Sequence, residues 1–231
     1  MSPAESRSDV LDGELSPGNC TPTTTAGATS GAHRARAALV GALFITSTIT
    51  FAIGSAQINT YFEDGSMSRS ALAFGVLLEA YTAIAVVGIA LALLPLLLRE
   101  SKQMARGYVA LRSLECAAIL GAGAVMLAAD KELSWYENLV YVFSGVGGIL
   151  LALLLLRSGL TRRWIALLGL VGYPVLLLGV LADMVGVVDL GSNAGAVFFV
   201  PGSLFEIIFP LQLLAFGFSR APGPDTGRSA E

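Results

Sequence analysis

Charge, histidine and cysteine are the scarce materials of this chain, and each shortage excludes something. Only 13% of its 231 residues are Asp, Glu, Lys or Arg, against roughly 25% in an average water-soluble domain. The one histidine, His33, precedes the first long apolar run. Haem held between paired intramembrane histidines, a zinc protease of the membrane and a Ser-His dyad are therefore excluded. Cys20 falls in an N-terminal tail and Cys116 in an apolar run. They occupy different media, so neither a structural disulfide nor a metal site is expected. A phosphate-cradling glycine loop is missing too, and a pair of intramembrane aspartates, as an aspartyl protease needs, is not available because only Asp183 lies within an apolar run. No enzyme, cofactor, metal or nucleic-acid partner is expected.

What the chain has in abundance is apolar length. Hydrophobic residues make up 55% of it, with 26 glycines, and they gather in six runs: Ala37 to Ile58, Ala71 to Leu98, Gly107 to Ala129, Tyr136 to Leu156, Trp164 to Val188 and Val197 to Phe218. Each run offers the roughly 20 residues that, at about 1.5 Å rise, cross a hydrocarbon core of about 30 Å. In lipid every backbone amide must be satisfied within its own helix or in a closed barrel. A barrel needs strands of about 10 residues alternating polar and apolar, and no such alternation occurs. The expected fold is an all-α polytopic bundle of six transmembrane helices, residues 36–219, whose solvent is the lipid bilayer.

The charges that remain are sorted by position. Arg34 and Arg36 precede the first run, Arg99, Lys102 and Arg106 lie between the second and third, Arg157, Arg162 and Arg163 between the fourth and fifth, and Arg220 follows the sixth. The alternate joints carry Glu63, Asp64, Asp130, Glu132, Glu137 and Asp189, with only Arg69 and Lys131 as cations. The positive-inside rule then places both termini in the cytoplasm and the bundle in the inner membrane. Tyr61, Phe62, Trp135, Tyr136 and Phe198 are expected at the outer interface, and Tyr108, Trp164 and Phe218 at the inner one. Residues 1–35 and 220–231, rich in Ser, Thr, Pro and Gly, have too little apolar surface to offset chain entropy and read as disordered cytoplasmic tails. The first apolar run starts too late and runs too long for a cleaved signal peptide, so it doubles as the insertion signal.

Five ionisable residues interrupt the apolar runs: Glu79, Arg112, Glu115, Asp183 and Glu206. Each costs about 2.5 to 3.5 kcal/mol at mid-helix, more than about 10 kcal/mol in sum, so they must face the bundle interior or water. Arg112 and Glu115 are three residues apart, on one helix face. Counted from the basic rim, these two lie in the inner half, Glu206 near the middle, and Glu79 and Asp183 nearer the outside. Four carboxyls face one guanidinium, which calls for protons, water or a cation among them. Pro210, four residues after Glu206, bends the sixth helix beside that carboxyl, as in transporter sites. Two readings stand. In one, the Arg/Glu centre of Arg112, Glu115 and Glu206 is structural or regulatory, acting through partner helices. In the other, the carboxyls, Glu206 and Glu79 foremost, carry protons or cations through a small transporter or channel. Thr46, Thr50, Gly54 and Gln57 form a polar stripe suited to helix packing, and Gly121, Gly145, Gly148, Gly172 and Gly179 allow close helix approach. Gly148-x-x-x-Ala152 offers a surface for a second copy of the chain.

The segments Gly107-Tyr108-Val109-Ala110-Leu111-Arg112-Ser113-Leu114-Glu115, Ala85-Val86-Val87-Gly88-Ile89-Ala90, the Arg157-Ser158 to Arg163-Trp164 joint and Pro201-Gly202-Ser203-Leu204-Phe205-Glu206 resemble domain-of-unknown-function family 4386, bacterial multipass membrane proteins. The resemblance runs from about Arg36 to Phe218. It implies the same topology and the same three polar residues, and brings no activity with it. Reporter fusions at the two termini should both score as cytoplasmic, and a split result would refute the even number of crossings.

Overall fold

The computed structural model describes residues 25–219 apart from Ser66 and Ser134. Six α-helices make up the fold: α1 (Thr25–Asp64), α2 (Arg69–Leu97), α3 (Lys102–Ala129), α4 (Tyr136–Ser158), α5 (Arg163–Met184) and α6 (Val200–Phe216), with a 3-10 turn, Gly195–Phe198, leading into α6. No strand occurs among the described residues. Each helix packs on its neighbours in the chain, and α6 returns to α1. The six therefore form a closed ring. Across it the backbones of α2 and α4 approach weakly, and side chains of α1 reach α4.

The helix ends follow local chemistry. Helix α1 begins at Thr25, well before Ala37. Residues 25–35, expected in a disordered tail, are thus helical, because Ala26, Ala28, Ala32, Arg34 and Arg36 are good helix formers and extending an existing helix avoids the cost of nucleation. Residues 1–24 and 220–231 lie outside the described residues. Ser101 caps α3 by accepting from the Met104 amide at 3.4 Å. Helix α5 stops at Met184 rather than Val188, because Gly186 takes a left-handed φ of 72°. There the Val187 amide reaches the Ala182 carbonyl and the Gly186 amide the Asp183 carbonyl, both at 2.9 Å, the pattern of a Schellman stop. The sixth helix is shorter than the expected run, 17 residues. Five helices, α1 to α5, are long and apolar enough to cross a membrane by themselves, and α6 falls below that length unless its 3-10 lead-in is counted.

One end of the ring is basic and the other acidic. At the basic end the Ser219 amide donates to the Leu160 carbonyl at 2.9 Å, Thr161 bonds Gln212, and Arg162 lies 5.7 Å from the centre of the Phe216 ring. At the acidic end Tyr61 donates to Asp130 at 2.8 Å and Arg69 to the Leu127 carbonyl at 2.7 Å. Large apolar residues face outward along whole helices, Leu77, Ile84 and Leu91 on α2 and Leu178 and Leu181 on α5 among them, an arrangement that water would oppose and acyl chains accept. Trp135 and Trp164 are 58% and 52% exposed, as interface anchors should be. Tyr136 and Tyr108, expected beside them, are instead buried. Their hydroxyls belong to the interior.

Small residues let the helices meet. The polar stripe of α1 lies against α2: Thr46 hydrogen bonds Tyr81 and Thr50 bonds Thr82, each at 2.8 Å, while Gly54 and Gly75 sit backbone to backbone. Gly148 lies under the Tyr173 ring and Ala152 is fully buried, so the surface expected to receive a second copy is used inside the molecule. A side chain at Gly172 would meet the Gly202 backbone nitrogen of α6 at 2.6 Å, whereas Gly121 faces open space. Gly172→Ala should therefore cost about 1 to 3 kcal/mol through overpacking and lower the melting temperature in detergent. Gly121→Ala should leave it unchanged or raise it slightly.

Candidate functional site

A ring of helices without a central one leaves a hole, and here it is a cavity of about 540 Å³ lined by residues from all six. Its lining includes exposed Asn59 and Gly191 at the acidic end and extends down to Tyr108. Below that, a continuous cluster that includes Ala37, Val40, Leu93, Leu97, Leu154 and Leu213 seals the basic end. The cavity is a cup, closed at one end.

The three residues expected to form a polar centre all line this cup. Arg112 and Glu115 are 4% and 3% exposed and pair with each other, Nη1 to Oε2 at 2.5 Å. Their spacing on α3 lets the pair form without help from another helix. The second contact of Arg112 Nη1 is the Ser144 hydroxyl of α4 at 3.5 Å. Glu206 comes in from α6. It accepts from the Tyr173 hydroxyl at 3.3 Å and the Thr48 hydroxyl at 3.5 Å, both long against the usual 2.7 to 2.8 Å. Among the described residues no cation pairs with it. Two buried donors near the floor have no acceptor among the described residues, the Tyr108 hydroxyl and Arg112 Nε. The latter packs near Gly147 of α4, where a Cβ would lie in ordinary van der Waals contact with it at 3.5 Å.

The two outer carboxyls are elsewhere. Glu79 is buried between α2 and α4, where the Tyr136 hydroxyl donates to it at 2.6 Å. Asp183 accepts from the Leu190 amide at 3.0 Å and the Asn138 side chain at 2.8 Å, tying the segment after α5 onto α4. Neither lines the cavity. Both Asp183 oxygens and Oε2 of Glu79 are occupied by the fold.

Sequence reasoning missed the mouth and the walls. Glu137, assigned to an acidic joint, turns into the cup and accepts from Ser55 at 2.7 Å and Asn59 at 2.9 Å. Phe51, Tyr141 and Phe199 form a chain of edge-to-face rings, with centroids 6.1 and 5.2 Å apart. A signal for this face existed: Thr48, Ser55 and Asn59 are seven and four residues apart, a second polar stripe of α1 beside the one that packs on α2. Among the described residues no group of His, Cys, Asp or Glu is placed to hold a metal.

Long outward-facing apolar helices around an ionic interior define a helical membrane protein. The chain belongs to the family described as Domain of unknown function (DUF4386), whose model matches residues 37–129 and 122–217. No curated protein and no solved structure matches it.

A buried ion pair is strongly destabilising to break and much cheaper to replace whole. Glu115→Gln should cost about 3 to 5 kcal/mol by leaving the guanidinium without its counter-charge, read as a lowered melting temperature. The double change Arg112→Met with Glu115→Met should recover most of that loss, and a double variant as unstable as the single one would count against the pairing.

Proposed function

We propose that this chain is a small proton-coupled cation carrier of the inner membrane, with both termini cytoplasmic, and not an enzyme. The observation that carries the reading is the setting of Glu206: a carboxyl facing a 540 Å³ cup, paired with no cation among the described residues and with long hydrogen bonds only. Arg112 and Glu115 cancel each other and Glu137 lies at the half-exposed mouth, so the negative charge at Glu206 is the one that remains to be neutralised deep in a medium of low dielectric. A proton can do it, and so can a cation. A single site that holds one or the other in turn is the minimum device for exchanging them. If the basic end faces the cytoplasm, the cup opens outward.

The structural reading accounts for Glu79 and Asp183, which are held by Tyr136 in one case and by Asn138 and a backbone amide in the other. It leaves Glu206 without a purpose. The place of Glu79 and Asp183 off the cavity argues against an enzyme that would use either as its base.

Proteoliposomes carrying a pH dye inside should release protons when sodium, potassium or methylammonium is added outside. Glu206→Gln keeps both hydroxyl contacts and should fold normally, yet reduce that release about tenfold or more, a barrier rise of about 1.4 kcal/mol. Glu79→Gln, off the cavity, should retain it. Wild-type vesicles that release no protons, or a Glu206→Gln protein that matches wild type, would end the proposal.

A further inference from the structure

The cup is far larger than a bare ion needs, and its walls are aromatic. At about 540 Å³ it falls in the range of small-molecule sites, about 300 to 1,000 Å³. Phe51 of α1 stands between Thr48, which holds Glu206, and Ser55, which holds Glu137. The linked rings of Phe51, Tyr141 and Phe199 therefore form a belt above Glu206. Aromatic faces attract ammonium groups and pack against carbon skeletons. A metal cation would gain little from such a belt in exchange for its hydration shell.

Charge and hydrogen bonding narrow the ligand further. Glu137 is held at the half-exposed mouth by Ser55 and Asn59. Deeper in, with Arg112 and Glu115 paired, one positive charge closes the balance at Glu206, whereas a zwitterion would leave a net negative charge there. The Tyr108 hydroxyl, fully buried, and Arg112 Nε, one turn along α3, are donors without an acceptor among the described residues. Buried donors of this kind call for an oxygen from water or from a ligand. Both belong to residues that line the same cup as Glu206.

We propose, on the basis of the cation site at Glu206, that the cavity binds a small organic monocation bearing an oxygen acceptor, an amine of the amino-alcohol class. Its ammonium group pairs with Glu206, its carbon body lies against Phe51, Tyr141 and Phe199, and its oxygen accepts from Tyr108 at the floor. Each part of the ligand answers one unmet feature of the cup.

Titration calorimetry on the purified full chain in detergent tests this with 2-phenylethylamine, 2-amino-1-phenylethanol and phenylalanine, which share one ring and differ in oxygen and charge. The amino alcohol should bind tightest, several-fold above the plain amine, as one hydrogen bond allows, and about tenfold or more above the zwitterion. Tyr108→Phe, which removes a hydroxyl that donates to no group among the described residues, should erase the advantage of the amino alcohol over the plain amine and leave the amine itself unaffected. Glu206→Gln should weaken both amines about tenfold or more. The wild-type ranking stands as a test even if a variant fails to fold. Phenylalanine binding best, or a hydroxyl preference that survives Tyr108→Phe, would overturn the inference. If none of the three binds while sodium or potassium still drives Glu206-dependent proton release, the ligand class is wrong and the carrier reading survives. Loss of that release as well would remove both.

Discussion

Charge must be hidden from acyl chains, and the architecture follows from how this chain hides it. Arg112 and Glu115 cannot face lipid without several kcal/mol of penalty each, and they sit three residues apart on one face of α3. That face has to point inward. An inward face that carries a guanidinium cannot be packed solid by leucine, so the centre of the molecule stays open and the helices stand around it. The basic end of the ring, below Tyr108, shows the alternative: with no ionic group to accommodate, Ala, Val and Leu pack against one another there.

The same constraint separates the carboxyls by what surrounds them. Glu79 and Asp183 are held by groups strong enough to satisfy them in place, a phenol at 2.6 Å in one case and an amide N–H with an Asn side chain in the other. Glu206 receives only two distant hydroxyls. Similar residues in neighbouring helices thus serve different ends, and the difference lies in hydrogen-bond length rather than in depth within the membrane. Tyrosine marks both outcomes, since Tyr136 locks one carboxyl and Tyr173 loosely attends another.

Helices, their order and their common axis were legible because the signals are long: apolar runs that span a bilayer, and arginines at every second joint. The i, i+3 relation of Arg112 and Glu115 was legible for the same reason, being local. Placement of Glu206 beside them depends on α6 returning to α1, a contact between distant parts of the chain that no periodicity encodes. The cavity face of α1 was hidden by a stronger stripe, Thr46, Thr50, Gly54 and Gln57, whose polarity serves contact with α2. Tyr108 and Tyr136 misled because an aromatic ring near a helix end reads as an interface anchor, while the hydroxyl inside decides otherwise. The early start of α1 and the early stop of α5 turned on alanine content and on a single left-handed glycine, details too short to weigh against a long apolar run.

Ring closure between α1 and α6 also sets an order of events during synthesis. Insertion proceeds from the N-terminus, so the third helix enters the membrane with its ionic face uncovered and waits there while three more are made. Only when the last one docks against the first does that face lose contact with fat. A chain cut short before α6 would therefore lack the Glu206 wall and the contact that closes the ring, and would leave the cup open on one side.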